Sequence, residues 1–338
     1  MIDHRGFVLV AVLVLVGSAL LVTTSMLFTS SAEFAAARVS ADRAQARALA
    51  WSGLQAIMSR LNDQRQRIYD GDGLELDEQY TIFSAGSRLG VVRLLPCGPG
   101  GARLVPEGGK VDVNQADATA LMATGLIDAA LAEAIVSFRD TALARPFQSV
   151  NELLLVEGMT PELLFGNAES PAASPAGFEA AGTDARPRCL ADLLTIYACE
   201  PARQRSGAAR INLNVPWSDD LARAVDARFG AGESALLKQV FDSGTKFDSE
   251  ARLFEVMRAF KVETRAWPAI LDTFTTDADA FHFGRLDINT ATREALLALP
   301  GLTPEPADRI VEQRQALAPG EKATIAWPAL QDIIPPES

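Results

Sequence analysis

Hydrophobic and polar positions fall into three successive patterns along this chain. Residues 7–28 are an apolar run without a charge, interrupted only by the small polar residues Ser18, Thr23, Thr24 and Ser25. Roughly twenty apolar residues cross the hydrocarbon of a bilayer, so the run predicts a membrane-spanning helix; the alternatives are an ordinary signal anchor and a secretory signal cleaved after Ser30-Ser31-Ala32, for which the run is long. From 31 to 69 there is no proline, and Ala, Arg and Gln, all good helix formers, dominate. Leu49, Leu54, Ile57, Met58 and Leu61 recur there at three- and four-residue steps. That spacing predicts that the helix continues beyond the membrane with one apolar stripe. A helix from Phe7 to Tyr69 would be roughly 95 Å long. Asp70-Gly71-Asp72-Gly73 ends it, because two glycines cannot continue a helix cheaply. Residues 80–84 and 90–95 then read as two short strands, with 102–105 as a candidate third.

The third pattern is an internal repeat. It opens at Lys110-Val111-Asp112-Val113-Asn114-Gln115-Ala116, at Arg210-Ile211-Asn212-Leu213-Asn214-Val215-Pro216 and at Arg285-Leu286-Asp287-Ile288-Asn289-Thr290-Ala291. Between the first two copies the offset is 100, matching Leu121 to Leu221, Phe147 to Phe247, Ser149 to Ser249 and Leu153 to Leu253. Between the first and third it is 175, matching Leu121 to Leu296, Ile135 to Ile310 and Arg139 to Arg314. Each copy reads as a short extended opening followed by small helices. Asn114, Asn214 and Asn289 are the expected helix caps, because an Asn side chain accepts a bond from an unpaired N–H of the first turn. Between the first two copies, residues 160–209 are rich in Pro, Ala and Ser and read as a long connection, with 190–197 a short element anchored within it.

Charge and chemistry narrow the functions. A net charge of −12 over 338 residues argues against a general nucleic-acid binder, since phosphate affinity comes from clustered Lys and Arg. Two histidines, His4 and His282, leave few parts for a histidine-based centre. There is no nucleophile motif, metal-ligand cluster or phosphate loop, so the chain reads as a non-enzyme. Cys97, Cys189 and Cys199 match no zinc spacing. Cys189 and Cys199 are a candidate disulfide in an oxidising compartment, and sequence alone leaves it open. The acids of 70–78 invite calcium but lack the fixed spacing of an EF-hand loop, so no cofactor is expected and a solvated turn is the preferred reading.

The N-terminal junction, Arg5-Gly6-Phe7, resembles the class III signal of type IV pilins and pseudopilins, whose leader is cut after glycine by a dedicated membrane peptidase. The resemblance implies processing between Gly6 and Phe7, with Phe7 the methylated first residue of the mature chain. Most of that superfamily carry Glu at the fifth mature position. Ala11 stands there, and the K-type minor pseudopilin of type II secretion is the member that lacks this glutamate. The segment Ala46-Arg47-Ala48-Leu49-Ala50-Trp51-Ser52-Gly53-Leu54 is similar to the alanine-rich segment of the same family. K-type relatives also bind calcium, though their ligands match no positions here. Their sheet is usually completed by further strands, and this sequence stops without them, so either the sheet is small and built from residues near 80–105, or the chain is a divergent relative with a reduced head.

The third copy contains Leu299-Pro300-Gly301-Leu302 followed by Ala307 and Ile310, which resembles the helix-hairpin-helix motif; Gly125 marks the corresponding hairpin of the first copy. The motif occurs in DNA-uptake receptors as well as in K-type pseudopilins. DNA-binding versions present hairpin N–H groups to a phosphate. Here Thr303-Pro304 replaces the second glycine and Asp128 lies beside the first hairpin, so packing against protein is favoured over DNA.

The fold expected is α+β and mostly α: a long pilin-like N-terminal helix, a small antiparallel sheet, and a helical domain of helix-hairpin-helix or SAM-like repeats. The boundaries expected are a leader at 1–6, a transmembrane part at 7–28 and a periplasmic helix at 29–70. A β region at 76–109 follows, then repeats at 110–160, 210–262 and 285–334, with the connection at 161–209. The expected role is a non-catalytic minor pseudopilin at the pseudopilus tip. It would be anchored by a single pass in the inner membrane with its C-terminal domain in the periplasm. Its partners would be other minor pseudopilins and prepilin peptidase, without nucleic acid. The alternative is a membrane-anchored helix-hairpin-helix protein of DNA binding or uptake.

Overall fold

A computed structural model describes residues 4–69, 76–86, 88–95, 103–166 and 189–335, with side chains from Leu9 onward. The fold is α+β and mostly helical, in two compact units.

The first unit holds helix α1 (His4–Asp63) and a hairpin. Among the described residues α1 alone is long and apolar enough to cross a membrane. It is followed after Gln64 by the short helix α2 (Arg65–Tyr69), so the single helix expected to Tyr69 is broken once. Strands β1 (Gln79–Ala85) and β2 (Arg88–Arg93) pair antiparallel, with a register shift between Thr81 and Phe83. The face of α1 that meets β2 is set by Leu49, Gly53 and Ile57, a four-residue step. Gly53 lies under Val92, where an added Cβ would collide with the valine side chain, and Gly90 lies under Phe83 and Leu49. Absent side chains let the strand lie directly on the helix. Leu54 and Met58, expected in the stripe, stay 45% and 54% exposed on another face.

The second unit contains the three repeats. Residues 103–105, expected as part of a third strand, form none; Ala102 lies outside the described residues. The first copy runs through β3 (Val111–Asp112), α3 (Ala118–Ala123) and α4 (Ala129–Ser137) to α5 (Pro161–Phe165). It does not end at 160: α6 (Leu190–Leu193) and β4 (Leu194–Thr195) return to it, and β4 pairs parallel with β3. The stretch expected as a connection therefore contributes Leu164, Leu190, Leu193 and Leu194 to the core; its middle, 167–188, lies outside the described residues.

Next come β5 (Cys199–Pro201) and then the second copy. It comprises β6 (Ile211–Asn212), α7 (Asp219–Phe229), α8 (Ser234–Asp242), α9 (Glu250–Ala259), α10 (Trp267–Thr273) and β7 (Phe274–Thr275). Strands β6 and β7 again pair parallel, so this copy extends past the expected boundary at 262. Strand β8 (Phe281–Phe283) pairs antiparallel with β5 and brings the chain back. The third copy contains α11 (Arg293–Leu296), α12 (Pro304–Ala316), α13 (Pro319–Lys322) and α14 (Trp327–Leu330).

The repeats do not stack in chain order. Leu121, Ile135, Leu153 and Leu193 of the first copy share one core with Ala295, Leu296, Ile310 and Trp327 of the third. The second copy has its own core around Val225, Val240, Phe247, Met257 and Trp267, to which Ala326 also belongs. The second copy is thus an insertion into a domain made by the other two, and β5–β8 is its neck. Close backbone approach joins the outer copies: the Asp287 N–H donates to the Gly108 carbonyl at 2.7 Å. At Gly109 an added Cβ would lie 2.9 Å from the Thr290 backbone.

Candidate functional site

The residues that organise the repeats form a turn-and-clamp arrangement. At each repeat opening the backbone N–H of the repeat asparagine donates to the side chain two residues earlier. Asn114 donates to Asp112 at 2.8 Å, Asn214 to Asn212 at 2.8 Å and Asn289 to Asp287 at 3.0 Å. This Asx turn redirects the chain towards the helices. Asp112 is buried, and burial pushes its carboxyl up, against the pull of the Asn114 N–H and of Arg139.

The asparagine side chains are not the helix caps. The caps stand three or four residues later, at Asp117, Ser218 and Thr292, each accepting from a backbone N–H of its first turn. With the Asx turn in place, Asn114 instead spans to the first copy's far side. It accepts from Phe147 N–H at 2.7 Å and donates to the Phe147 carbonyl at 3.1 Å. Asn289 repeats this at the same separation, donating to the Lys322 carbonyl at 3.0 Å, while Trp327 Nε1 donates to its Oδ1 at 3.0 Å. Asn214 is exposed.

The clamp comes from the next helices. Arg139 donates to the carbonyls of Val113 (2.9 Å) and Ala116 (2.8 Å). Arg314 donates to those of Ile288 (3.1 Å) and Ala291 (2.5 Å). These are the same positions displaced by 175 residues. In the second copy Gln239 stands in that place, on the exposed surface. Sequence register paired Arg139 with Arg314 but carried no sign of their carbonyl partners. Thr195 and Thr275 had no repeat alignment to mark them. Both are buried as the last residue of a parallel strand, and each hydroxyl accepts a backbone N–H two residues on, from Tyr197 and Asp277.

The hairpins test the phosphate reading. Gly125 (φ 74°) and Gly301 (φ 80°) take the left-handed conformation that the turns require. At the first hairpin, Gly125 N–H is bonded to the Met122 carbonyl and Leu126 N–H to Thr124 Oγ1. The start of α4 is occupied by the Asp128 carboxylate, which accepts from Leu131 N–H at 2.8 Å. At the third hairpin Leu302 N–H is bonded to the Leu299 carbonyl, and Pro304 supplies no donor. Three hairpin donors, on Gly125, Leu126 and Leu302, are thus engaged within the chain, and at the first hairpin the Asp128 carboxylate occupies the helix start where an anion would bind.

The neck carries a network of four charged side chains. Glu200 on β5 binds Arg210 (2.6 Å) and Arg285 (2.5 Å), and Arg285 also binds Glu250. His282, opposite Glu200 on β8, lies 3.0 Å from Asp277. Burial would raise the Glu200 carboxyl, but Arg210 and Arg285 outweigh it and hold the pKa below its usual value. A depressed carboxylate adds stability that is present above its unfolded pKa and is lost as pH falls through the folded one. Acid titration should therefore loosen the neck at a pH below the ordinary Glu range. In Glu200→Gln that acid-dependent loss should disappear, as read by amide exchange of Ala202 and Gly284.

The remaining expected site residues are scattered. Gly6 and Phe7 lie in the backbone of α1, and Ala11 is exposed on its surface. Cys97 and the acids from Asp70 to Glu75 lie outside the described residues; Asp77 and Glu78 are exposed. Among the described residues no three His, Cys, Asp or Glu side chains gather as a metal site. The candidate bridge between Cys189 and Cys199 is not formed. Cys189 precedes α6 and lies against Gly166, while Cys199 sits on β5 opposite Phe283, so the two belong to different elements.

Among known families, the helix-hairpin-helix motif matches residues 107–169. No curated protein and no solved structure matches the chain.

Proposed function

We propose that this chain is a membrane-anchored minor pseudopilin of the type II secretion class, similar to the K-type subunit, and that it works by assembly rather than catalysis. The observation that carries this reading is the Arg5-Gly6-Phe7 junction at the head of one apolar helix that runs on, without proline, to carry a β-hairpin on its distal half. A glycine there gives a peptidase close access to the backbone. In this reading Arg5 holds the leader in the cytoplasm, and the two-core head lies in the periplasm. Ala11 leaves no carboxylate to pair with the N-terminal amine of a preceding subunit. Such an unpaired partner would be costly inside a filament, so the chain takes the first position, where its bulky head is accommodated.

Co-expression with prepilin peptidase tests this directly. The expected product is six residues shorter, begins at Phe7, and fails to form when Gly6→Leu is introduced. An unchanged N-terminus, a Gly6→Leu chain processed like the parent, or a mature form starting near Glu33 would refute it.

The match of residues 107–169 to the helix-hairpin-helix motif favours a second reading, a membrane-tethered DNA-binding protein. The engaged N–H groups of Gly125, Leu126 and Leu302, the proline at 304 and the Asp128 carboxylate weigh against it. Duplex DNA binding that falls steeply with added salt would favour this second reading; the expected result is no such binding.

A further inference from the structure

The two-stranded neck has unlike edges. Ala202 N–H donates to the Ala280 carbonyl and Gly284 N–H to the Ala198 carbonyl, both at 2.9 Å, with Glu200 opposite His282 between them. The even-numbered residues of β8 therefore face β5. The N–H and C=O groups of Phe281 and Phe283 point the other way. Among the described residues none of these four groups has a backbone partner beyond the neck. The β5 edge is blunted: Pro201 has no N–H, and its carbonyl is taken by Arg203 N–H at 2.7 Å. Proline on an edge strand is a common guard against further pairing. Strand β8 has no such guard, and its side chains Phe281 and Phe283 are 50% and 62% exposed.

We propose that the outer edge of β8 accepts an extended segment of a partner protein as a third strand. The segment places alternate apolar side chains beside Phe281 and Phe283, and carries an arginine or lysine at the end that meets Asp279. Strand addition draws affinity from main-chain bonds and specificity from alternate side chains, and this edge offers both. The sign of the charge follows from the surroundings. Asp279 is exposed just before β8, whereas Arg285, just after it, is engaged by Glu200 and Glu250. The proposal stands on the head alone and does not depend on the secretion reading.

The test uses the full chain in detergent micelles and, as probe, an acetylated octapeptide of alternating valine and threonine ending in arginine. Saturable binding is expected, with slowed exchange of the Phe281 and Phe283 amides. A peptide ending in glutamate should bind about threefold more weakly, the size of a surface ion pair. Phe283→Pro should abolish binding, because it removes one edge donor while sparing every bond to β5; unchanged exchange at His282 would show that the neck is intact. Three results would overturn the proposal: no binding, equal binding by Phe283→Pro, or self-association of the chain that Phe283→Pro abolishes, which would put a second copy on this edge.

Discussion

Arg314→Met is expected to lower the stability of the first core by about 3 kcal/mol while leaving the second core unchanged. Arg314 is 4% exposed and its guanidinium holds the carbonyls of Ile288 and Ala291. Methionine fills much of the space but cannot donate, so the buried Ala291 carbonyl and the half-buried Ile288 carbonyl lose their partner, each costing on the order of 1–3 kcal/mol before relaxation. Two comparisons make the expectation sharp. Arg139→Met removes the equivalent clamp, but from a side chain that also reaches solvent and Asp140, and should cost less. Gln239→Met, at the equivalent exposed position of the second copy, should cost nothing measurable. Urea-dependent amide exchange read separately at Leu121 and Ile135, and at Val225 and Met257, distinguishes the cores. A uniform loss across both would refute the account.

Trp327→Ala should be the most damaging single change, costing about 4 kcal/mol. The indole is 1% exposed within the first core, and its Nε1 donates to Asn289. Truncation therefore opens a cavity and strands the Asn289 oxygen together. Trp327→Phe separates the two effects: most of the buried area stays and the hydrogen bond goes, for about 1 kcal/mol. If Phe costs as much as Ala, as read from thermal unfolding of the full chain, the hydrogen bond rather than the packing holds this end of the domain.

The repeat was legible because burial constrains both residue type and spacing. Leu121, Leu221 and Leu296, with Phe147 and Phe247, recur in register, and all five are buried. The α1 helix and its hairpin were equally plain, from an apolar run and then alternation. What the chain concealed was which copy packs on which. That choice depends on single close approaches, such as Gly109 against Thr290, which leave no periodic trace. The two-residue partner strands of the repeat openings, β4 and β7, are too short to show alternation. The role of the asparagines was misread for a related reason. An Asn before a helix is an ordinary cap, and only the distant Phe147 and Lys322 backbones, 33 residues on in each case, reveal what it holds. The edge of β8 was hidden too, since a three-residue strand after a loop carries no signal of which side its amides face.

Splitting the first core around a complete module dictates an order of events during synthesis. Residues 202–280 can finish folding as soon as they emerge, because every strand and helix around the second core except Ala326 lies within them. The earlier-made residues near Leu121, Ile135 and Leu153 must wait, their apolar faces uncovered, until Leu296, Ile310 and Trp327 arrive. A chain halted near residue 280 would thus pair a finished module with an unclosed, aggregation-prone one, and chaperones or proteases would act on the older half.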